Sequence, residues 1–173
     1  GVAEFVRNKL PALGIDVSLV NTADNAAVAA AMTPRTKLVW LETPSNPILR
    51  LADIAAIAEI AHAGGALLAV DSTFATPVST RPLELGADFV MHSLTKYLCG
   101  HGDAMGGIIA GKRQAMLALR EDSLIHQGAV ISPFNAWLIN RGIETLPIRM
   151  AQHERNALAV AQFLARHPSV TRV

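Results

Sequence analysis

The sequence predicts an α/β fold, a mostly parallel sheet with helices on both faces. Three observations carry that expectation. Strand-like and helix-like segments alternate along the chain. Several strand candidates, such as "ALLAV" and "ADFVM", are unbroken apolar runs, the pattern of strands buried on two sides. Polar residues able to do chemistry gather where such runs end: Glu42 to Asn46, Asp71 to Thr73 and Ser93 to Lys96. In open α/β sheets, ligands collect at those ends.

The elements follow in order. "AEFVRNKLPALG" reads as helical at least in part, stopped by Gly14. "IDVSLV" alternates like a short strand. "TADNAAVAAAM" restarts a helix, with Thr22 or Asp24 as its cap. "KLVWLE" is an apolar strand, and "TPSNP" after it is turn chemistry. Asp53 caps "IAAIAEIAHAGG", whose Ile54, Ile57, Ala58 and Ala61 share one helical face. "ALLAV", "ADFVMH" and "GGIIAG" are further strands. "SPFNAWLINRG" opens a helix with a serine cap and a proline in the first turn. That helix is expected to run, bent or interrupted at Gly142 and Pro147, to about His167.

Composition narrows the function. At 173 residues and 51% hydrophobic, the chain suffices for one domain with a sizeable core, or for part of a larger one. The net charge of +1 gives no electrostatic footprint for nucleic acid or an anionic membrane. No apolar stretch is long enough to span a bilayer, and the start does not read as a secretory signal. The single cysteine, Cys99, forbids an internal disulfide and points to a reducing, cytoplasmic setting. Both ends read as cut from a longer chain.

The segment "MHSLTKYLCGHGD" carries the strongest chemical signal. Lys96 follows a buried-strand pattern, and burial there would favour the neutral, nucleophilic amine. Ser93 and Thr95 put two hydroxyls within three residues of it, and with backbone N–H groups they could hold a phosphate. An amine that forms Schiff bases, beside a phosphate site, points to pyridoxal phosphate. That cofactor needs a carboxylate to keep its ring nitrogen protonated. Asp71 is the candidate, twenty-five residues before Lys96, about one parallel crossover away. Alone, Asp71 would read as a cap. Cys99, His101 and Asp103 alternate in one loop without a recognisable metal-ligand spacing, so no metal is expected. "GHGDAMGG" contains no G-x-G-x-x-G, which counts against a dinucleotide-binding oxidoreductase. Trp40 and Trp137 are expected in the core or an interface, Cys99 as a small apolar filler, and His62 as structural or solvated.

The segments "ETPSNP", "AVDSTFATP", "PLELGADFVMHSLTKYLCGHGD" and "SPFNAWLINRGIETLPIRM" resemble the Cys/Met-metabolism family of pyridoxal-phosphate enzymes. The resemblance covers nearly the whole chain, from about "LPALGIDV" onward. It implies the large domain of a fold-type I enzyme over residues 1–134. Residues 135–173 would then be a long connecting helix and the start of a smaller C-terminal domain. It implies that Lys96 carries the cofactor, Asp71 pairs with its ring nitrogen, and Ser93 and Thr95 hold its phosphate. Asn46 is implied near the phenolic oxygen and Thr73 near the ring. On its own residues, Asn46 would instead satisfy an Asx-turn.

The implied reaction is carbon–sulfur bond chemistry on a small amino acid, by elimination or replacement at Cγ or Cβ. The implied assembly is a homotetramer of tight dimers. The resemblance also places the ring-stacking aromatic upstream of this chain and the substrate-carboxylate arginine downstream, so the isolated chain is expected to be inactive. The charges that mark many methionine gamma-lyases are not evident in "EDSLIHQGAV". The alternative is a non-catalytic module that binds pyridoxal phosphate.

Overall fold

The computed structural model describes residues 2–173. Helices α1 (Val2–Asn8) and α2 (Asn25–Ala31) lead to strand β1 (Leu38–Glu42). Asp24 is the cap of α2, accepting from the Ala26 and Ala27 N–H groups. Helix α3 (Ile54–Ala63) connects β1 to β2 (Leu67–Asp71). As expected, Asp53 caps α3 through the Ala56 N–H. The four-residue α4 (Thr76–Ser79) and a 3-10 turn (Pro82–Leu85) lead to β3 (Phe89–Ser93). A π-helical turn (Leu94–Leu98) then precedes β4 (Gly107–Gly111) and α5 (Arg113–Leu119). A second π-helical segment (Arg120–His126) precedes α6 (Pro133–Glu144) and α7 (Leu146–Ala165).

The sheet order is β1-β2-β3-β4. β1 pairs parallel with β2 and β2 with β3, whereas β4 returns antiparallel to β3. The fold is therefore α/β with a mostly parallel sheet. The crossover from β2 to β3 is shorter than a strand–helix–strand unit, because α4 and the 3-10 turn do the work of a full helix. The Asp88 carboxylate anchors its end, accepting from the Leu68 N–H and lying 2.9 Å from His62 Nε2.

The main core forms where α3 meets the sheet. Ile54, Ile57, Ala58 and Ala61 pack with Leu41, Leu68 and Val70, and Val28 joins from α2. Burying each such leucine, isoleucine or valine contributes about 1.5–3 kcal/mol. On the opposite sheet face Leu38, Trp40, Leu67 and Ile109 stay exposed, so α2 and α3 cover one face within this chain. A second, smaller cluster joins Leu94, Leu98 and Cys99 to Ala104, Ile139 and Leu146. It fastens α6 and α7 to the π-turn, and it buries Cys99 as the filler expected.

Two expectations need correction. "IDVSLV" forms no strand; no neighbouring edge pairs with it, and Ile15, Val17 and Leu19 are exposed. The helix after Ser132 is two helices, separated at Thr145 rather than at Gly142 or Pro147. Gly142 stays inside α6, and Pro147 sits in the first turn of α7, where a missing N–H costs nothing. Of the two settings expected for the tryptophans, the core is not the one they occupy: Trp40 is 37% and Trp137 52% exposed, the latter under the Arg141 guanidinium at 5.1 Å. Among the described residues no helix is long and apolar enough to cross a membrane.

Candidate functional site

Because β1, β2 and β3 run parallel, their carboxyl ends lie along one sheet edge. Register fixes who meets there: Glu42 pairs with Asp71, and Asp71 with Met91. β4 runs the other way, so its first residue, Gly107, pairs with Ser93 at the same edge. Thus the ends of three strands bring Asn46, the Asp71–Thr73 turn and the Ser93–Lys96 segment to one side of the sheet.

Asp71 is half-buried. Its Oδ1 accepts from the Thr73 N–H at 3.0 Å and from the Thr73 hydroxyl at 2.6 Å. The cap interaction anticipated for an isolated aspartate is therefore present, and it occupies one oxygen. Oδ2 has no hydrogen-bond partner among the described residues. The Thr73 hydroxyl also accepts from the Ser93 N–H at 2.8 Å, tying the end of β2 to the end of β3.

Ser93 stands at the start of the π-turn, yet its side chain makes no capping bond. The Thr95 hydroxyl lies against the Gly106 peptide, accepting from its N–H at 3.2 Å and sitting 3.4 Å from its carbonyl oxygen. The Asn46 side chain is exposed and does not form the Asx-turn; instead the Asn46 N–H donates to Glu42 Oε1 at 3.1 Å.

Lys96 interrupts the π-turn with φ −94° and ψ −124°, which sets its side chain apart from the helical run. Leu94 and Leu98 on either side are buried, whereas Lys96 is exposed and has no hydrogen-bond or ion-pair partner among the described residues. The burial expected of this lysine is not supplied by these residues. The turn closes through Cys99 N–H to Leu94 O at 3.0 Å and Gly100 N–H to Lys96 O at 2.8 Å. Gly100 can follow because its φ is +75°. Tyr97, next to Lys96, lies between Phe74 and His153, with ring centroids 5.9 Å and 5.4 Å away.

Sequence reasoning missed two residues here. His92 is 5% exposed with Nδ1 unpaired, and burial holds its pKa below the usual 6.5; the neighbouring Ser72 backbone and the Asp71 charge act the other way. Its position in an apolar strand pattern hid it. Arg149 reaches from α7 to the carbonyls that end the π-turn. The available signal was Gly142, since a glycine inside a helix costs about 1 kcal/mol and calls for a packing reason.

Comparison with known proteins decides the family. The Cys/Met metabolism PLP-dependent enzyme model matches residues 1–173. The chain belongs to this family of pyridoxal-phosphate-dependent enzymes. It is 49% identical over 160 residues to a probable cystathionine gamma-synthase of Herpetosiphon aurantiacus, covering 92% of this chain and 50% of the relative. It is 52% identical over 160 residues to an O-succinylhomoserine sulfhydrylase of Pseudomonas aeruginosa, covering 92% and 40%. The crystal structure of cystathionine gamma-lyase from Lactobacillus plantarum complexed with L-serine superposes with a TM-score of 0.95 at 41% identity. That match covers 99% of this chain and 45% of the other. The chain thus spans half or less of the length of these relatives.

The side chains at the edge fit the family's cofactor. An unpartnered amine, a serine hydroxyl without a cap bond and a carboxylate with one free oxygen match an aldehyde, a phosphate and a protonated ring nitrogen in turn.

Proposed function

We propose that the complete protein catalyses pyridoxal-phosphate-dependent carbon–sulfur bond chemistry on an amino acid, by elimination or replacement at Cγ or Cβ. The observation that supports this reading is that the Asp71–Thr73 turn is hydrogen-bonded to Ser93, three residues before Lys96, at one end of the parallel strands. Bound there, the cofactor supplies an electron sink for negative charge at the substrate α-carbon. Lys96 would hold it covalently, and its amine, when free, would move the substrate α-proton. Asp71 would keep a proton on the ring nitrogen, while Thr73 holds its Oδ1 in place. Ser93 and Thr95 hold the phosphate, and Asn46 serves the phenolic oxygen.

The relatives' names suggest the candidate substrates: cystathionine, methionine and O-succinylhomoserine with a thiol or sulfide co-substrate. The same reading makes the protein a cytoplasmic homotetramer of tight dimers. It divides the chain into a partial cofactor domain, 1–134, and a connecting segment, 135–173. It also makes the 173-residue chain inactive by itself, since the chain covers only part of each relative. The test is to load the complete protein with pyridoxal phosphate and assay all three substrates. Turnover of at least one is expected. A folded, cofactor-loaded protein that turns over none of them overturns the reading.

A further inference from the structure

The Lys96 turn poses a mechanical question. It departs from helical geometry at the lysine itself, and its last carbonyls have no helix to continue into. One side chain answers it. Arg149, half-buried in the first turns of α7, donates from Nη1 to Tyr97 O at 2.7 Å and from Nη2 to Gly142 O at 2.7 Å. Nη2 also lies 3.4 Å from Leu98 O, and Nε donates to the Thr145 hydroxyl at 3.1 Å.

A guanidinium is thus directed at carbonyls at the ends of two helical segments, where partial negative charge accumulates. Among the described residues it pairs with no carboxylate. Two glycines make the room. A Cβ at Gly100 would run into the Arg149 guanidinium, and one at Gly142 would run into the Cys99 carbonyl. The planar fork of arginine spans Tyr97 and Gly142 at once, which the compact charge of lysine does not.

We propose that Arg149 is the positioning residue of Lys96. It clamps the two residues that follow the lysine onto α6 and α7, and so fixes where the amine sits, without itself touching cofactor or substrate. The proposal rests on Lys96 being the cofactor lysine. Its test is built so that the clamp and that reading can fail separately.

In the complete protein, Arg149→Met and Arg149→Lys are compared with Arg155→Met, a change at an arginine whose side chain, among the described residues, bonds only to Gln152 on the same helix. The first readout is amide hydrogen exchange in the cofactor-free protein at Cys99 and Gly100, whose N–H groups close the turn. Arg149→Met is expected to speed both about tenfold or more while the β1 and β2 amides keep their protection. The second is the dissociation constant for added pyridoxal phosphate, read from its absorbance. It is expected to rise about tenfold in Arg149→Met, to be partly restored in Arg149→Lys, and to be unchanged in Arg155→Met.

Wild-type protection at Cys99 and Gly100 in Arg149→Met overturns the clamp. So does an equal loss across turn and sheet, which would mark a general stabilising role. If Arg149→Met does not fold, Arg149→Lys meets the same two criteria. If even the wild-type protein fails to bind pyridoxal phosphate, the functional reading falls, and the exchange data still decide the clamp.

Discussion

The Thr73 hydroxyl joins Asp71 to the strand that leads to Lys96: it donates to Asp71 Oδ1 at 2.6 Å and accepts from the Ser93 N–H at 2.8 Å. The parallel register that pairs Asp71 with Met91 makes this possible, because it brings Thr73, just beyond β2, alongside Ser93 at the end of β3. The carboxylate and the Lys96 turn are therefore one hydrogen-bonded unit. Thr73→Val removes both bonds at similar volume, and a hydrogen bond to a charged group is worth about 1.5–3 kcal/mol. Affinity for pyridoxal phosphate in an absorbance titration of the complete protein is expected to fall tenfold or more. Thr73→Ser is expected to retain it, and unchanged affinity in Thr73→Val would show the bridge to be incidental.

Asp71→Asn keeps an oxygen for the Thr73 bonds but loses the charge. In the complete protein its turnover is expected to drop at least ~100-fold, the scale of losing one preorganised electrostatic contact. The urea unfolding midpoint is expected to move little. Near-normal kinetics would reduce Asp71 to the turn cap that it also is.

Much of this was legible because the signals are local. Asp24, Asp53 and Ser132 cap helices as their sequence positions indicated, and each satisfies N–H groups two or three residues ahead. Strands β1 to β4 coincide with the apolar runs. "IDVSLV" failed because alternation is local whereas strand pairing needs a partner from elsewhere in the chain. The Asp71–Thr73–Ser93 bridge depends on β2–β3 register, which no spacing reveals. Arg149 meets Tyr97 across fifty-two residues of sequence, and its contact exists only once α6 and α7 fold back on the π-turn.

Gly142 tests that folding-back directly. Inside α6 an alanine would be the better helix former. Here its Cβ would meet the Cys99 backbone, which cannot rotate out of the way. Gly142→Ala is expected to destabilise the protein by about 1–3 kcal/mol in urea unfolding, the usual cost of overpacking. A stabilised variant would mean that the α6–π-turn approach is looser than described.

Histidine 92 sets a pH dependence. Its folded pKa lies below the ordinary 6.5 because burial disfavours the charged ring. Above 6.5 the ring is neutral in both folded and unfolded chains. As pH falls past 6.5 the unfolded chain takes up the proton first, so stability declines until the folded value is passed. Asp88, held below its ordinary 3.8 by the Leu68 N–H and His62 against the upward push of burial, adds a further loss only as pH falls past 3.8. Urea midpoints measured from pH 8 to pH 5 are expected to decline below about pH 6.5 in the wild type and to flatten in His92→Gln. An identical slope in both proteins would assign the decline to other groups.

The most direct test of the account is where the cofactor attaches. The complete protein, loaded with pyridoxal phosphate, is reduced with borohydride, digested and mapped by mass spectrometry. The expected result is one pyridoxyl label, on Lys96, in the peptide that contains "HSLTKYLCG". A label on Lys112, on another lysine, or on none would contradict the assignment of the Ser93–Lys96 edge as the cofactor site.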